Sequence, residues 1–291
     1  MRARIWGCRG SVAAPGADTV RYGGNTSCVE VQLASGHTIV LDAGTGIRAL
    51  GVAMADRLPG ELHLMLTHLH LDHIQGLGFF RPLFSPDLDV HVWGPSSPVQ
   101  SLATRIGRYL SPPLFPVTLH DVPSTLTFHD ASEAPVRIGS ATVQATKVMH
   151  QGPTVGYRIE EDGLVLTYLP DHEPAIGGDL ATVPVDWMSG YDLARDADVL
   201  LHDSQYREHE YGDHVGWGHS GIGSTMEFAR KAGVERVVLF HHDPYHDDRD
   251  LEQLLVEARA VWAGRDDDVV LASERMTITL ADGSVTVAET S

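Results

Sequence analysis

Thr67-His68-Leu69-His70-Leu71-Asp72-His73 places three histidines and an aspartate within six residues. The segment before it, Glu61-Leu62-His63-Leu64-Met65-Leu66, is mostly apolar and predicts a strand, so the cluster stands where a strand ends and a loop begins. α/β proteins place their chemistry at such strand ends. His68 and His70 are two apart and share one side of an extended segment, while Asp72 and His73 follow as the chain turns away. One loop can therefore feed two adjacent metal ions. Imidazole and carboxylate suit zinc, and manganese or iron to a lesser degree, with no thiolate nearby to narrow the choice. The plain alternative is a run of solvated histidines, but H-x-H-x-D-H is a far more specific signal than a lone histidine.

With 291 residues the chain can bury a large core. Helix and strand patterns alternate without a dividing linker, which predicts an α/β fold in one domain over residues 1–291. The 39 acidic against 21 basic residues give a formal net charge of −18, which disfavours long nucleic acids as partners. The 17 histidines, many near chain turns, fit metal binding. Cys8 and Cys28 lack C-x-x-C spacing, so buried thiols are expected, not a disulfide framework or a thiolate zinc site. No apolar signal region opens the chain and no stretch is long enough to span a membrane, so the expectation is a soluble cytoplasmic protein.

Along the chain, strands are predicted over residues 2–6, 27–33 and 37–41, the last two forming a hairpin at Ser35-Gly36. Asp42 closes that hairpin, either capping a turn or orienting a metal ligand from behind. Thr45 is placed to cap a helix beginning near Gly46. Phe79 to Phe84 is an aromatic run best read as core, with a pocket wall or a homodimer contact as alternatives. A strand over 89–93, a helix over 97–110 and strand character over 136–148 follow, the last ending at His150. A hairpin over 155–169 turns at Glu161-Asp162-Gly163 and runs into Asp171 and His172. A strand over 197–201 ends at His202, and the polar stretch 208–218, with His209, His214 and Trp217, reads as a lid or rim. Beyond His219 come a helix over 222–232, a strand over 235–240 ending in His241-His242, a helix over 247–262, and two strands over 276–280 and 285–288. A looser repeat of the first half in the second suggests a two-half sandwich with ligands along one edge.

On these residues the chain resembles the metallo-β-lactamase-fold hydrolases, in particular the phosphodiesterase branch with ribonuclease Z and smaller cyclic phosphodiesterases. The resemblance runs from the strand ending in Asp42 to the strand ending in His241. It implies a four-layer αβ/βα sandwich with a metal site at one edge of the two sheets. It further implies that His68, His70 and His150 hold one divalent ion, that Asp72, His73 and the last motif histidine hold a second, and that Asp171 bridges both. Leu239-Phe240-His241 is similar to the family's L-x-H pattern, which favours His241 over His242. Gly218-His219-Ser220-Gly221 resembles the G-H-S-T segment of ribonuclease Z, with Gly221 in place of Thr, and so implies His219 as proton donor; His172, His202, His214 and His242 are the runners-up.

Two such ions, most simply zinc, would hold a hydroxide between them, clamp a phosphoryl group and stabilise the leaving oxygen, with Asp72 orienting the attack. In long-arm ribonucleases Z an arm that clasps tRNA lies between the third histidine motif and the bridging aspartate. Here His150 and Asp171 are 21 residues apart, an interval filled by the hairpin over 155–169. With the acidic charge, this favours a small phosphodiester such as a cyclic nucleotide. A thioester or lactone hydrolase on the same fold is the second reading, and a non-catalytic ligand-binding or regulatory protein that keeps its metal site is the third.

Overall fold

The computed structural model describes residues 1–131, 134–262 and 264–289. Numbered along the chain, one sheet contains β1 (Arg2–Gly7), β2 (Cys28–Gln32), β3 (Thr38–Leu41), β4 (Glu61–Met65), β5 (Asp89–Pro95) and β6 (Thr125–Ala131). The other contains β7 (Val136–Ile138), β8 (Ala141–Lys147), β9 (Val155–Glu161), β10 (Leu164–Leu169), β11 (Val199–Asp203), β12 (Arg236–Phe240) and β13 (Val269–Leu271). The last two strands, β14 (Met276–Ala281) and β15 (Ser284–Glu289), return to the first sheet, whose order is β15-β14-β1-β2-β3-β4-β5-β6. The second sheet runs β13-β12-β11-β10-β9-β8-β7.

Strand alternation creates three apolar layers from these two sheets. On β3, Ile39 and Leu41 face the other sheet while Val40 faces outward, and on β12 Val238 and Phe240 face inward while Val237 and Leu239 face outward. Helices α1 (Ile47–Ala53), α2 (Leu71–Ile74) and α3 (Leu102–Tyr109) cover the outer face of the first sheet through Ile47, Leu50, Ile74, Leu102 and Ile106. On the second sheet that role falls to α4 (Tyr191–Ala194), α6 (Ile222–Lys231) and α7 (Asp248–Val261), with α5 (Glu208–Tyr211) at the rim. The result is the expected four-layer αβ/βα sandwich.

Within each sheet, consecutive parallel strands end at the edge that carries the histidines. β3 and β4 are parallel, as are β10, β11 and β12. Being buried on both faces, they read as nearly unbroken apolar runs, such as Arg236-Val237-Val238-Leu239-Phe240. Asp42, the 67–73 stretch, Asp171, Asp203 and His241 all lie at the C-terminal ends of these strands. No helix among the described residues is long and apolar enough to cross a membrane.

Several local expectations are corrected. The helix expected over 97–110 begins only at Leu102, because the Ser101 side chain accepts the Thr104 N–H and caps it there. Thr45 does not cap α1; its hydroxyl accepts the Thr26 N–H while its own N–H goes to the Thr26 hydroxyl, which clamps two loops together. The strand expected over 136–148 is two strands, β7 and β8, broken at a turn. In the aromatic run, Phe80 and Leu83 are core, but Phe79 and Phe84 are exposed. Strands β6 and β13 add to both sheets without having been expected. The two-half sandwich with ligands along one edge is present, with β14 pairing with β1 and drawing the last two strands into the first sheet.

Leu201 lies fully buried between the sheets. Leu201→Ala is expected to cost about 2–5 kcal/mol, read as a lower urea midpoint with an unchanged slope.

Candidate metal centre

Asp42 leaves β3 at a φ of 58° and is fully buried. Its Oδ1 accepts the backbone N–H of Thr67 at 2.7 Å. Its Oδ2 accepts the Thr67 hydroxyl at 2.9 Å, the His73 Nδ1–H at 2.8 Å and the Tyr168 hydroxyl, from the opposite sheet, at 3.0 Å. Of the two roles open to Asp42, the structure assigns the second: it orients His73 from behind. With its hydrogen given to Asp42, the Thr67 hydroxyl oxygen accepts the His68 Nδ1–H at 3.1 Å.

The same logic orients the other rings. His150 donates Nδ1–H to the Gly218 carbonyl at 2.8 Å, and His241 donates Nδ1–H to Gln205 Oε1 at 3.0 Å. The Nε2 atoms of His68, His73, His150 and His241 therefore face a common centre. His70 differs, turning its Nδ1 to 3.3 Å from His150 Nε2. His68, His70 and His150 converge as one group, and Asp72, His73, Asp171 and His241 as a second, the facing atoms of each lying within 4.8 Å of one another. Asp171 lies between the groups. Its Oδ1 is 2.9 Å from His73 Nε2, and its Oδ2 is 3.6 Å from His150 Nε2, 3.7 Å from His68 Nε2 and 3.3 Å from His241 Nε2. His242, one residue on, faces away and donates Nε2–H to the Ala272 carbonyl at 2.8 Å.

The charges in this pocket call for a cation. His68 Nε2 is buried and makes no hydrogen bond among the described residues, and His73 Nε2 is closed in by Asp171 Oδ1 at 2.9 Å and Asp72 Oδ2 at 3.2 Å, a crowding of buried nitrogens and carboxylates that a cation would relieve. Burial opposes charge on His73, yet the surrounding Asp171, Asp72 and Asp42 carboxylates hold its imidazole well above the ordinary histidine range. Burial likewise resists ionisation of Asp171, and His241, His73 and His68 outweigh it and hold that carboxyl well below the usual range. His68 and His150, by contrast, are kept neutral chiefly by burial and are ready as ligands. The orphaned ring nitrogens and the carboxylates fit divalent metal ions, whose charge would replace the proton that His73 otherwise retains.

His219 stands beside this cluster, stacked on His241 with ring centroids 4.9 Å apart and edge-on to His150. Its Nδ1–H donates to Asp203 Oδ2 at 2.7 Å, which leaves Nε2 as the free ring atom. Burial works against its charge, but Asp203, with Asp171 and Asp72, raises it to about 9. A cleft of about 420 Å³, bounded by Ser11, Leu69, Leu71 and His219, opens onto His70, Asp72, Asp171 and His241. The other histidines lie elsewhere. His172 and His202 are paired at 2.9 Å against Phe228 in the core, where burial keeps both neutral. His214 stacks on Tyr206.

Three contributors escaped the sequence reading. Asp203, fully buried, also accepts the backbone N–H groups of His172, Gln205 and Ser220. Like Asp42 and Asp171 it ends a strand, a signal that could have singled it out. Gln205 holds His241, and the Ser11 N–H reaches Asp72 Oδ2 at 2.8 Å from a distant loop; no local pattern marks either.

Residues 37–242 match the family described as "Beta-lactamase superfamily domain", and the chain belongs to it. It is similar to the protein named ribonuclease BN from Cronobacter sakazakii, with 25% identity over 287 residues, covering 83% of this chain and 89% of that one. Among solved structures, a diphosphatase from the PhnP family superposes with a TM-score of 0.68 at 16% identity, covering 96% of this chain and 97% of that one. Zn(2+)-bound PqqB from Methylobacterium extorquens has a TM-score of 0.68 at 19% identity, covering 96% and 100%. At these identities the structural likeness establishes the fold.

Asp42→Asn keeps the size of the side chain but removes the charge behind His73. Zinc affinity is expected to fall about 10–100-fold, measured by competition with a chromophoric chelator. Because the imidazoles must shed protons to bind, affinity for both proteins is expected to weaken as pH falls.

Proposed function

We propose that this member of the beta-lactamase superfamily is a dinuclear metal-dependent phosphodiesterase acting on small phosphodiesters, cyclic nucleotides among them. The observation that carries the reading is the convergence of His68, His70 and His150 on one side of Asp171, and of Asp72, His73 and His241 on the other, with the His68 and His73 Nε2 atoms facing that carboxylate. The first three would hold one ion and the second three the other, with Asp171 placed between them. Imidazole and carboxylate ligands suit zinc, and manganese or iron to a lesser degree. When bound, two such ions supply Lewis-acid polarisation of a phosphoryl oxygen and lower the pKa of water near neutrality.

The chain's own residues supply the rest. Asp72, held by the Ser11 N–H, orients the attacking water. His219 holds a proton on Nε2 and delivers it to the leaving oxygen, while Asp203 fixes the ring through Nδ1 and keeps it cationic. The names of the relatives, a ribonuclease and a diphosphatase, support phosphoester chemistry. The β9–β10 hairpin, which fills the interval between His150 and Asp171, supports a small substrate over a clasped RNA.

The direct test is a metal-replete preparation assayed on bis(p-nitrophenyl) phosphate, 2′,3′- and 3′,5′-cyclic nucleotides, a thioester, a lactone and a small structured RNA. Hydrolysis of a phosphodiester is expected, and turnover of the thioester or lactone alone would overturn the reading. His219→Ala is expected to lower kcat about 10²–10⁴-fold for a diester with an alkoxide leaving group and far less for p-nitrophenolate, which needs no proton. Since His219 must be protonated to donate, activity falls as pH rises through its pKa. Asp203→Asn lowers that pKa and is expected to move the alkaline limb of the kcat profile to lower pH.

A further inference from the structure

A second cleft, also about 420 Å³, adjoins the metal centre and shares His68, His70, Leu69 and Leu71 with it. Its far wall is α3, which presents Arg105, Arg108 and Tyr109. In a chain with 39 acidic and 21 basic residues, this cleft has no acidic residue in its lining and two arginines. Between the arginines and the histidines the surface is apolar. Leu71 and Leu114 line it at 60% and 70% exposure, so two large apolar side chains stand open to water beside the metal centre.

The two arginines are held differently. Arg105 is anchored by donating to the Pro95 carbonyl, and its Nε is buried with no hydrogen-bond partner among the described residues. Arg108, one helical turn on, is exposed and forms no ion pair among the described residues. Tyr109 is pinned by donating its hydroxyl to the Gln75 carbonyl at 2.5 Å, which fixes α3 against the segment that follows α2. A rigid wall thus carries a free guanidinium, suited to bind a phosphate or carboxylate through paired N–H groups.

We infer that the substrate carries, beyond its scissile phosphodiester, an apolar or aromatic body that lies on Leu71 and Leu114 and a second anionic group that Arg108 receives. The inference rests on the phosphodiesterase reading and narrows it, from any small diester to one bearing a further phosphate or carboxylate. The apolar floor holds the body, in the manner usual for small-molecule sites. The guanidinium discriminates for the second charge through paired, charge-assisted hydrogen bonds, which strengthen when a body bound on the apolar floor displaces water beside them.

The test uses the metal-loaded protein and two p-nitrophenyl esters of thymidine 5′-phosphate, one with a free 3′-hydroxyl and one with a 3′-phosphate. The 3′-phosphorylated ester is expected to show a kcat/KM about tenfold higher, the effect of roughly one charge-assisted contact. Arg108→Gln is expected to bring the ratio close to one, and Arg108→Lys to retain part of it. Calorimetric binding of thymidine 3′,5′-bisphosphate and thymidine 5′-monophosphate should give the same ratios without turnover, and circular dichroism checks that the variants are folded. A ratio near one in the native protein, or a ratio that survives Arg108→Gln, overturns the inference. If neither ester is cleaved but the binding ratio holds, the reaction class fails and the cleft stands. Cleavage of both esters at equal efficiency leaves the reaction intact and removes the cleft.

Discussion

The Asp42 carboxylate is the point on which the site depends. It joins the ends of β3 and β4 through Thr67, reaches the opposite sheet through the Tyr168 hydroxyl, and sets the His73 ring. A single buried charge so ties the sandwich to the metal ligands. That charge is tolerated because every donor around it is fixed by a strand end, and because His73 faces further carboxylates across its other nitrogen. Removing the negative charge would loosen the fold and misorient the ligand together, which explains why the two sheets and the cluster behave as one construction.

The electrostatics of the edge follow the same principle. A chain as acidic as this one concentrates buried carboxylates, Asp42, Asp72, Asp171 and Asp203, at a single place, and sets imidazoles between them. Without a cation the protons settle unevenly: His73 and His219 are raised, while His68, His70 and His150 are lowered. The neutral rings form one side of Asp171, and the side nearer the carboxylates retains the charge.

Much of this was legible in the sequence where the signal is local. H-x-H-x-D-H lies on six consecutive positions from His68 to His73, and the hairpin turn at Asp162-Gly163 is marked by a residue pair suited to positive φ, which the two adopt at 55° and 77°. The strand-end placement of Asp171 and His241 could be read because buried strands are unbroken apolar runs, and that of His150 because β8 alternates apolar and polar residues. What was hidden is non-local. Strand β6, Thr125 to Ala131, is an edge strand whose residues are mostly half-exposed, so its composition looks like a loop. Asp203 is one aspartate among many until its four donors are seen, and the Ser11 N–H acts from a loop sixty-one residues before Asp72. Thr45 has the sequence of a helix cap, but the loop beside it offers a better partner in Thr26.

The pairing of β1 with β14 sets Arg2 opposite Thr279. On a ribosome, β1 emerges before β2 and can pair with it, but its other edge stays open until β14 has been made. The first sheet therefore gains β14 only after every strand of the second sheet has emerged, and an unpaired strand edge persists in the meantime. Folding is accordingly expected to be governed by long-range contacts and to be slow. A bound metal gains little purchase on the earlier intermediates, because His241, also late in the chain, has not yet arrived to complete the site.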